Sequence, residues 1–427
     1  MRITYITAGA GGMYCGACIR DNALATELMS RGHQVELLPL YTPTLTDEPN
    51  VSQDAVFFGG INVYFQQHFS LFRHTPRFLD RIWDSSLVLN LASRWALKTN
   101  PEALGDLTVS VLRGEEGLHR KELVKLVEWL RSHPSPDILN LGNSLFLGLA
   151  RSIKEATGCP ICCTLQGEDL FLKSLPQRYQ TRALELIRSN IGWVDAFIAV
   201  SRYHAGFMSD YLGIPADKIH VVPLGIHWRD YNGVRKPRTH PFTIGYLARI
   251  VPEKGLHLLG EAFRALSQTG QLAGARLEVA GYLAPAQKTY LRKVERQIQD
   301  WGLSQQFRYR GILSRAEKVE FLSNLDVLSV PASYDEPKGM YLLEAMASGV
   351  PVVQPRRGAY PEIIEKTGGG LLVDSESRDG IVEGILSVAQ DPILAEKLSK
   401  QGRQGIREHY SAELMADRTV AIYESLR

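Results

Sequence analysis

"DVLSVPASYDEPKGMYLLEAMASGVPVV", residues 326–353, decides how the chain folds. Its first seven residues form an apolar run of strand length, and a polar turn from Tyr334 to Gly339 follows. The segment "MYLLEAMA" then has helical composition, with a predicted start near Lys338 or Gly339 and a stop at Gly349, a residue suited to the position just past a helix end. "VPVV" opens another strand. Strand, helix and strand within 28 residues describe a βαβ unit, the building block of a parallel sheet.

The same rhythm extends in both directions. "FTIGYLARI", "RLEVAGYL", "FRYRGIL" and "GGLLV" are further strands around this unit. Nearer the N-terminus "RITYIT", "QVELLPL", "DILNLG", "PICCTLQG", "AFIAVS" and "IHVVPLG" read likewise, with helix-compatible sequence between them. The pattern breaks at "YNGVRKPRTHP", 231–241, which is polar, basic and interrupted by Gly and Pro, as a linker would be. The expectation is two Rossmann-like domains facing across a central cleft. An N-terminal domain would cover 1–235, a C-terminal domain 241–405, and a last helix, 406–427, would pack back on the first domain. Ligands are expected at the carboxyl ends of the strands. Residues 64–98 are unusually aromatic and basic, and are read as an amphipathic helical insertion in the first domain, with acceptor or membrane contact as the alternative.

With 427 residues, 48 Lys and Arg against 46 Asp and Glu, and a net charge of +2, nothing calls for nucleic acid or an anionic surface as partner. The chain opens directly on a strand pattern and has no apolar run of bilayer length, so a cytoplasmic location is expected, with peripheral membrane contact open. Five cysteines, Cys15, Cys18, Cys159, Cys162 and Cys163, are too few for a disulfide scaffold and fit a reducing compartment.

The "MYLLEAMA" helix would present the amides of Gly339, Met340 and Tyr341 at its N-terminus, a natural anion site. Glu336 precedes that helix and Glu344 lies within it. In "ARIVPEKGLHLLGEAF", 248–263, Arg249 is expected to end a strand and Lys254 to open the next helix. Two fixed cations there could neutralise a diphosphate leaving group without a metal. No Asp-x-Asp occurs in the chain to hold a divalent ion in the usual way.

In this order, Arg249-x4-Lys254-Gly255 and then Glu336-x7-Glu344 with Gly339, the chain resembles the retaining glycosyltransferases of the GT-B fold, group 1 or family 4. The likeness covers nearly the whole chain and is strongest from about 195 to 410. It implies transfer of a sugar from a UDP-, GDP- or ADP-sugar to the hydroxyl of a glycan, lipid or small-molecule acceptor, with retention and without a metal or other cofactor. It implies that Arg249, Lys254 and the 339–341 amides hold the diphosphate, Glu336 the transferred sugar and Glu344 the ribose. "YRGILS" resembles the segment whose main chain, at Ile312 and Leu313, meets the base, and "GAGGMY" the first glycine loop, with Gly11 and Gly12 approaching the ligand. Ser201 in "FIAVSRYHAGFM" and Gln166 in "TLQGED" fall on the acceptor side. Gln166 stands where the family usually has His, and can donate a hydrogen bond but not titrate. Leu224 and His227 stand where Asn and Asp are common.

As a dinucleotide fingerprint the opening glycines fail, because the third glycine position falls on Tyr14. Cys15 and Cys18 lie at the start of the first helix, where a thiolate would be favoured. Cys162 and Cys163 are neighbours on a strand and point to opposite faces, so they do not complete a metal site together. The cysteines are read as packing residues. The alternatives to a transferase are a non-catalytic nucleotide- or carbohydrate-binding protein of the same fold and a cysteine-based metal or redox protein.

Overall fold

A computed structural model describes residues 1–9, 15–53, 56–58, 101–231, 241–268, 270–272, 274–374 and 378–427. The insertion at 64–98, Gly11 and Gly12, and the linker residues 232–240 lie outside the described residues. The described chain forms two compact units, Met1–Val222 with Ala416–Arg427, and Pro223–Met415.

In the first unit the strands are β1 (Arg2–Thr7), β2 (Gln34–Pro39), β3 (Ile138–Leu141), β4 (Ile161–Leu165), β5 (Ala196–Ala199) and β6 (Ile219–Val221). All pair in parallel, in the order β2-β1-β3-β4-β5-β6. β3, β4 and β5 are buried along their whole length. That pattern belongs to a parallel sheet covered by helices on both faces, and it explains why these strands are unbroken apolar runs in the sequence.

The second unit repeats the design with β7 (Thr243–Leu247), β8 (Arg276–Ala280), β9 (Phe307–Tyr309), β10 (Val327–Leu328), β11 (Val352–Pro355) and β12 (Gly370–Val373), ordered β12-β11-β10-β7-β8-β9. Each strand corresponds to one of the runs read from the sequence. In each sheet the strand order reverses once, between β1 and β3 and between β7 and β10. Loops leaving the carboxyl ends diverge at such a point and open a crevice.

The units divide at Val222 and Pro223, ahead of the polar stretch 231–241. The reason lies in backbone bonding: the Ile226 amide donates to the Tyr410 carbonyl (3.0 Å) and the Ala412 amide to the Ile226 carbonyl (2.9 Å), tying 223–231 into the second unit. The final helix, Ala412–Ser425, runs from the second unit into the first, where Tyr423 is fully buried and Arg427 pairs with Asp137 at 3.3 Å. No helix among the described residues is long and apolar enough to cross a membrane.

Lys254 does not open a long helix. It closes a short 3-10 turn, Pro252–Lys254, and the helix Leu256–Gln268 begins after Gly255. Gly255 has φ +73°, and a Cβ there would lie 1.9 Å from the Pro331 carbonyl oxygen. This close approach presses the loop after β7 onto the loop after β10.

Gly255→Ala therefore pays both the left-handed penalty, about 1–2 kcal/mol, and the displacement of the Pro331 backbone. Urea denaturation should show a loss of at least that size, and an unchanged midpoint would mean that the two loops do not depend on this contact.

Candidate active site

The reversal point of the second sheet gathers the residues singled out in the sequence. Glu336 lies in the loop after β10, and the Gly339 that follows has φ +64° and forms the N-cap of the helix Met340–Ala347. A left-handed residue there turns the chain sharply into the helix, which glycine does without a Cβ penalty. The loop is also held from behind, because the Ala359 amide donates to the Glu336 carbonyl at 2.8 Å.

Glu336 and Lys254 form a salt bridge with both side chains more than nine-tenths buried. Lys254 Nζ also donates to the Tyr334 hydroxyl at 2.6 Å, and Tyr334 in turn donates to Glu336 Oε2. The Tyr341 hydroxyl adds a third donor to the same oxygen at 3.3 Å. On Glu336 Oε1 the Lys338 amide approaches to 3.4 Å. The Lys254 ammonium lies over the rings of Tyr334 and Tyr341, 4.9 and 5.1 Å from their centroids, a cation–π arrangement in a desolvated setting.

Burial by itself would raise the Glu336 carboxyl. The Lys254 charge, hydrogen bonds from Lys254 and Tyr334, and the Lys338 charge outweigh it and bring the carboxyl down to about 2. Burial lowers the Lys254 ammonium against the opposing pull of Glu336, and the charges of Arg249 and Lys338 push in the same direction as burial. Arg249 is exposed, two residues beyond the end of β7. Lys254 thus feels one carboxylate and two further cations. An ammonium has three N–H groups, and those of Lys254 given to Glu336 and Tyr334 leave one for a ligand.

Glu344 is also buried, and its Oε1 accepts from Lys318 Nζ at 2.6 Å and from the Tyr231 hydroxyl at 2.9 Å. Arg315 donates to the same hydroxyl and stacks its guanidinium 4.9 Å from the Tyr231 ring centroid. Sequence reasoning missed Lys318, Tyr231 and Arg315, because each comes from a different segment and none has a motif of its own. Ile312 is exposed and Leu313 rests on the core of the second unit.

In the first unit the reading of Gln166 needs correction. Its Nε2 donates to Asp21 Oδ1 and to the Gly142 carbonyl, both at 3.0 Å, while its Oε1 is buried with no partner. Both partners are acceptors, so the amide is oriented by its chemistry, and its donors are already used. Gln166 is left with an acceptor oxygen rather than a donor. The Asp21 carboxylate also takes hydrogen bonds from Tyr5, Thr7 and Arg20. Ser201 Oγ accepts from the His204 amide and caps the helix Arg202–Leu212.

The family description "Glycosyl transferases group 1" matches residues 231–405, and "Glycosyltransferase Family 4" matches residues 106–227. A glycogen synthase of Mycobacterium tuberculosis is 25% identical over 321 residues, covering 73% of this chain and 70% of that protein. An MMP alpha-(1->4)-mannosyltransferase of Mycolicibacterium hassiacum is 28% identical over 233 residues, 54% of each chain. Among solved structures, Anabaena HepE in complex with UDP and glucose superposes with a TM-score of 0.72 at 16% identity over the whole of both chains. Sucrose-phosphate synthase from Thermosynechococcus elongatus also reaches 0.72, at 17% identity over 100% of this chain and 99% of that one.

The depressed Glu336 carboxyl has a definite consequence for stability. A carboxyl lowered on folding contributes stability that is present above its ordinary value near 4.5 and lost as pH falls toward 2. The full contribution is about 3 kcal/mol at ~1.4 kcal/mol per unit. Urea denaturation between pH 5 and pH 2.5 should therefore show a steeper loss for the native chain than for Glu336→Gln, and parallel curves would refute the pairing.

Proposed function

The chain belongs to the GT-B glycosyltransferases of group 1 and family 4, and from that membership we propose that it moves a sugar from a nucleoside diphosphate donor to an acceptor hydroxyl with retention, using fixed side-chain cations. The observation that carries this reading is the buried Lys254–Glu336 pair at the carboxyl ends of β7 and β10, beside the N-terminus of the helix Met340–Ala347.

In this proposal the donor diphosphate meets the free N–H of Lys254, the exposed Arg249 guanidinium and the first amides of the helix. Charge grows on the leaving diphosphate as the glycosidic bond breaks. Cations and amides already oriented toward it stabilise that charge without reorganising. A divalent ion would supply the same neutralisation, and here Arg249, Lys254 and Lys338 supply it. Glu336 is an orienting group for the sugar hydroxyls. A carboxylate whose proton affinity is this low and whose oxygens hold several donors is a poor general base and a poor nucleophile. Attack by the acceptor on the face that the diphosphate leaves accounts for retention without a glycosyl-enzyme.

Glu344 has Oε2 without a hydrogen-bond partner among the described residues, while Lys318 and Tyr231 fix Oε1. That oxygen suits a ribose hydroxyl. The glycogen synthase and mannosyltransferase relatives and the UDP-bound neighbour support a nucleotide sugar here. None of the five cysteines is in a disulfide.

Thermal unfolding with UDP, GDP and ADP tests the donor site. The matching nucleotide at 100 times its Kd should add about 2.7 kcal/mol of stability, and stabilisation by none of them would overturn the reading. With the sugar nucleotide so identified, Lys254→Ala should lower kcat by ~10²–10³. Binding without transfer or donor hydrolysis in the native chain would instead mark a non-catalytic binding protein. A product of inverted configuration in an NMR time course would remove the retaining mechanism.

Glu344→Gln keeps the shape of the side chain but removes the charge facing Lys318. It should raise the Kd for the nucleotide and cost about 3–5 kcal/mol of stability, the range for a buried ion deprived of its partner. Titration calorimetry showing native affinity would take Glu344 away from the ribose.

A further inference from the structure

The first helix, Gly16–Ser30, begins with two thiols. Cys15 is its N-cap, with extended backbone at φ −113° and ψ 127°, and Cys18 is three residues on. N-cap and third-residue side chains face each other across the first turn, which is why a capping box can form between those positions. Here the pair is Cys and Cys. Cys15 makes no capping hydrogen bond, and its place at the N-cap sets its side chain beside that of Cys18 across the first turn.

Access differs sharply between them. Cys15 is half-buried, as are Gly16 and Ala17 after it, whereas Cys18 is 1% exposed. The remaining cysteines, Cys159, Cys162 and Cys163, are all buried. Cys162 and Cys163 pair in register with Asn140 and Leu141, so they project to opposite faces of the sheet. One half-buried cysteine beside one buried cysteine, two residues intervening, is the arrangement in which an outer sulfur reacts first and an inner sulfur resolves.

We propose that Cys15 and Cys18 are a reversible dithiol–disulfide couple, a redox modification site at the strand-order reversal of the first sheet, oxidised by low-molecular-weight disulfides of the glutathione type. The Cys15 sulfur attacks one sulfur of the oxidant, forming a mixed disulfide and releasing one thiol. Cys18 then loses its proton and attacks Cys15 Sγ, forming the internal disulfide and releasing the second thiol. The two protein thiols give up two protons and two electrons, and one disulfide becomes two thiols. The order of events follows from the environment: contact with Cys15 and then burial push the Cys18 thiol well above the ordinary range, which leaves the first attack to Cys15. The sequence expectation of a readily ionised thiol at both positions therefore fails at Cys18.

The site adjoins the polar network of the first unit, since Thr7 donates to Asp21 Oδ2 at 2.8 Å and Asp21 holds Gln166. A bond between Cys15 and Cys18 would close the first helical turn against that network. In a reducing compartment such a bond is transient, as redox-responsive disulfides are.

The test is to equilibrate the full chain with reduced and oxidised glutathione at graded ratios, alkylate free thiols natively and again after denaturation, and map the peptides. The expected result is loss of two thiols as oxidised glutathione rises, a 15–18 link and complete reversal by dithiothreitol. Cys18→Ser should stop at one glutathione per chain on Cys15, and Cys15→Ser should take up none. Two free thiols at 15 and 18 at every ratio would overturn the proposal, as would adducts spread over all five cysteines. Zinc bound one per chain and released on blocking Cys15 and Cys18 would overturn it in favour of a metal centre. If Cys18→Ser does not fold by circular dichroism, the peptide map of the native chain decides alone.

Discussion

The second unit is organised around a buried ion pair. Lys254 and Glu336 come from loops after two strands that are neighbours in space but lie about 80 residues apart in the chain, and the pair forms only if β7 and β10 are side by side. A buried ammonium or carboxylate left alone costs several kcal/mol, so each makes the other tolerable. Tyr334 and Tyr341 complete the shell with hydroxyls and ring faces. Gly255 and Gly339 are the backbone devices that bring the two loops within reach.

This arrangement reconciles the stability of the site with the anion-binding role proposed for it. Cations that were fully paired would have little left to offer a diphosphate, and wholly unpaired ones could not stay buried. Lys254 is partly committed, Arg249 is exposed, and Lys338 lies close enough to lower both Glu336 and Lys254. The surplus positive charge suits a donor whose leaving group becomes more negative as it departs.

The first unit uses the same sheet logic for a different local chemistry. Its reversal point holds a carboxylate, Asp21, satisfied by Tyr5, Thr7, Arg20 and Gln166, with Cys18 about one helical turn and Cys15 nearly two turns before it. Arg20 is itself entirely buried, with Nε and Nη2 unpartnered, so the network concentrates polarity in a place that the apolar sheet would otherwise exclude.

The sequence by itself determined the twelve strands, the parallel character of both sheets and the βαβ unit whose helix stops at Gly349. Those features are written in short-range patterns: apolar runs of strand length, and glycines where the chain must turn. It also picked out Lys254, Glu336 and Glu344, because their spacing around a strand and a helix start is local. Only tertiary structure decided what those groups touch. The partners of Glu344 come from residues 231 and 318, the amide of Gln166 is taken by residue 21, and the unit boundary at 222 is fixed by strand-like bonding to residues 410–412. A hydrogen bond across such sequence distances has no periodicity to betray it. It exists because packing of the sheets brings particular atoms within three ångströms, and that is a property of the fold rather than of any segment.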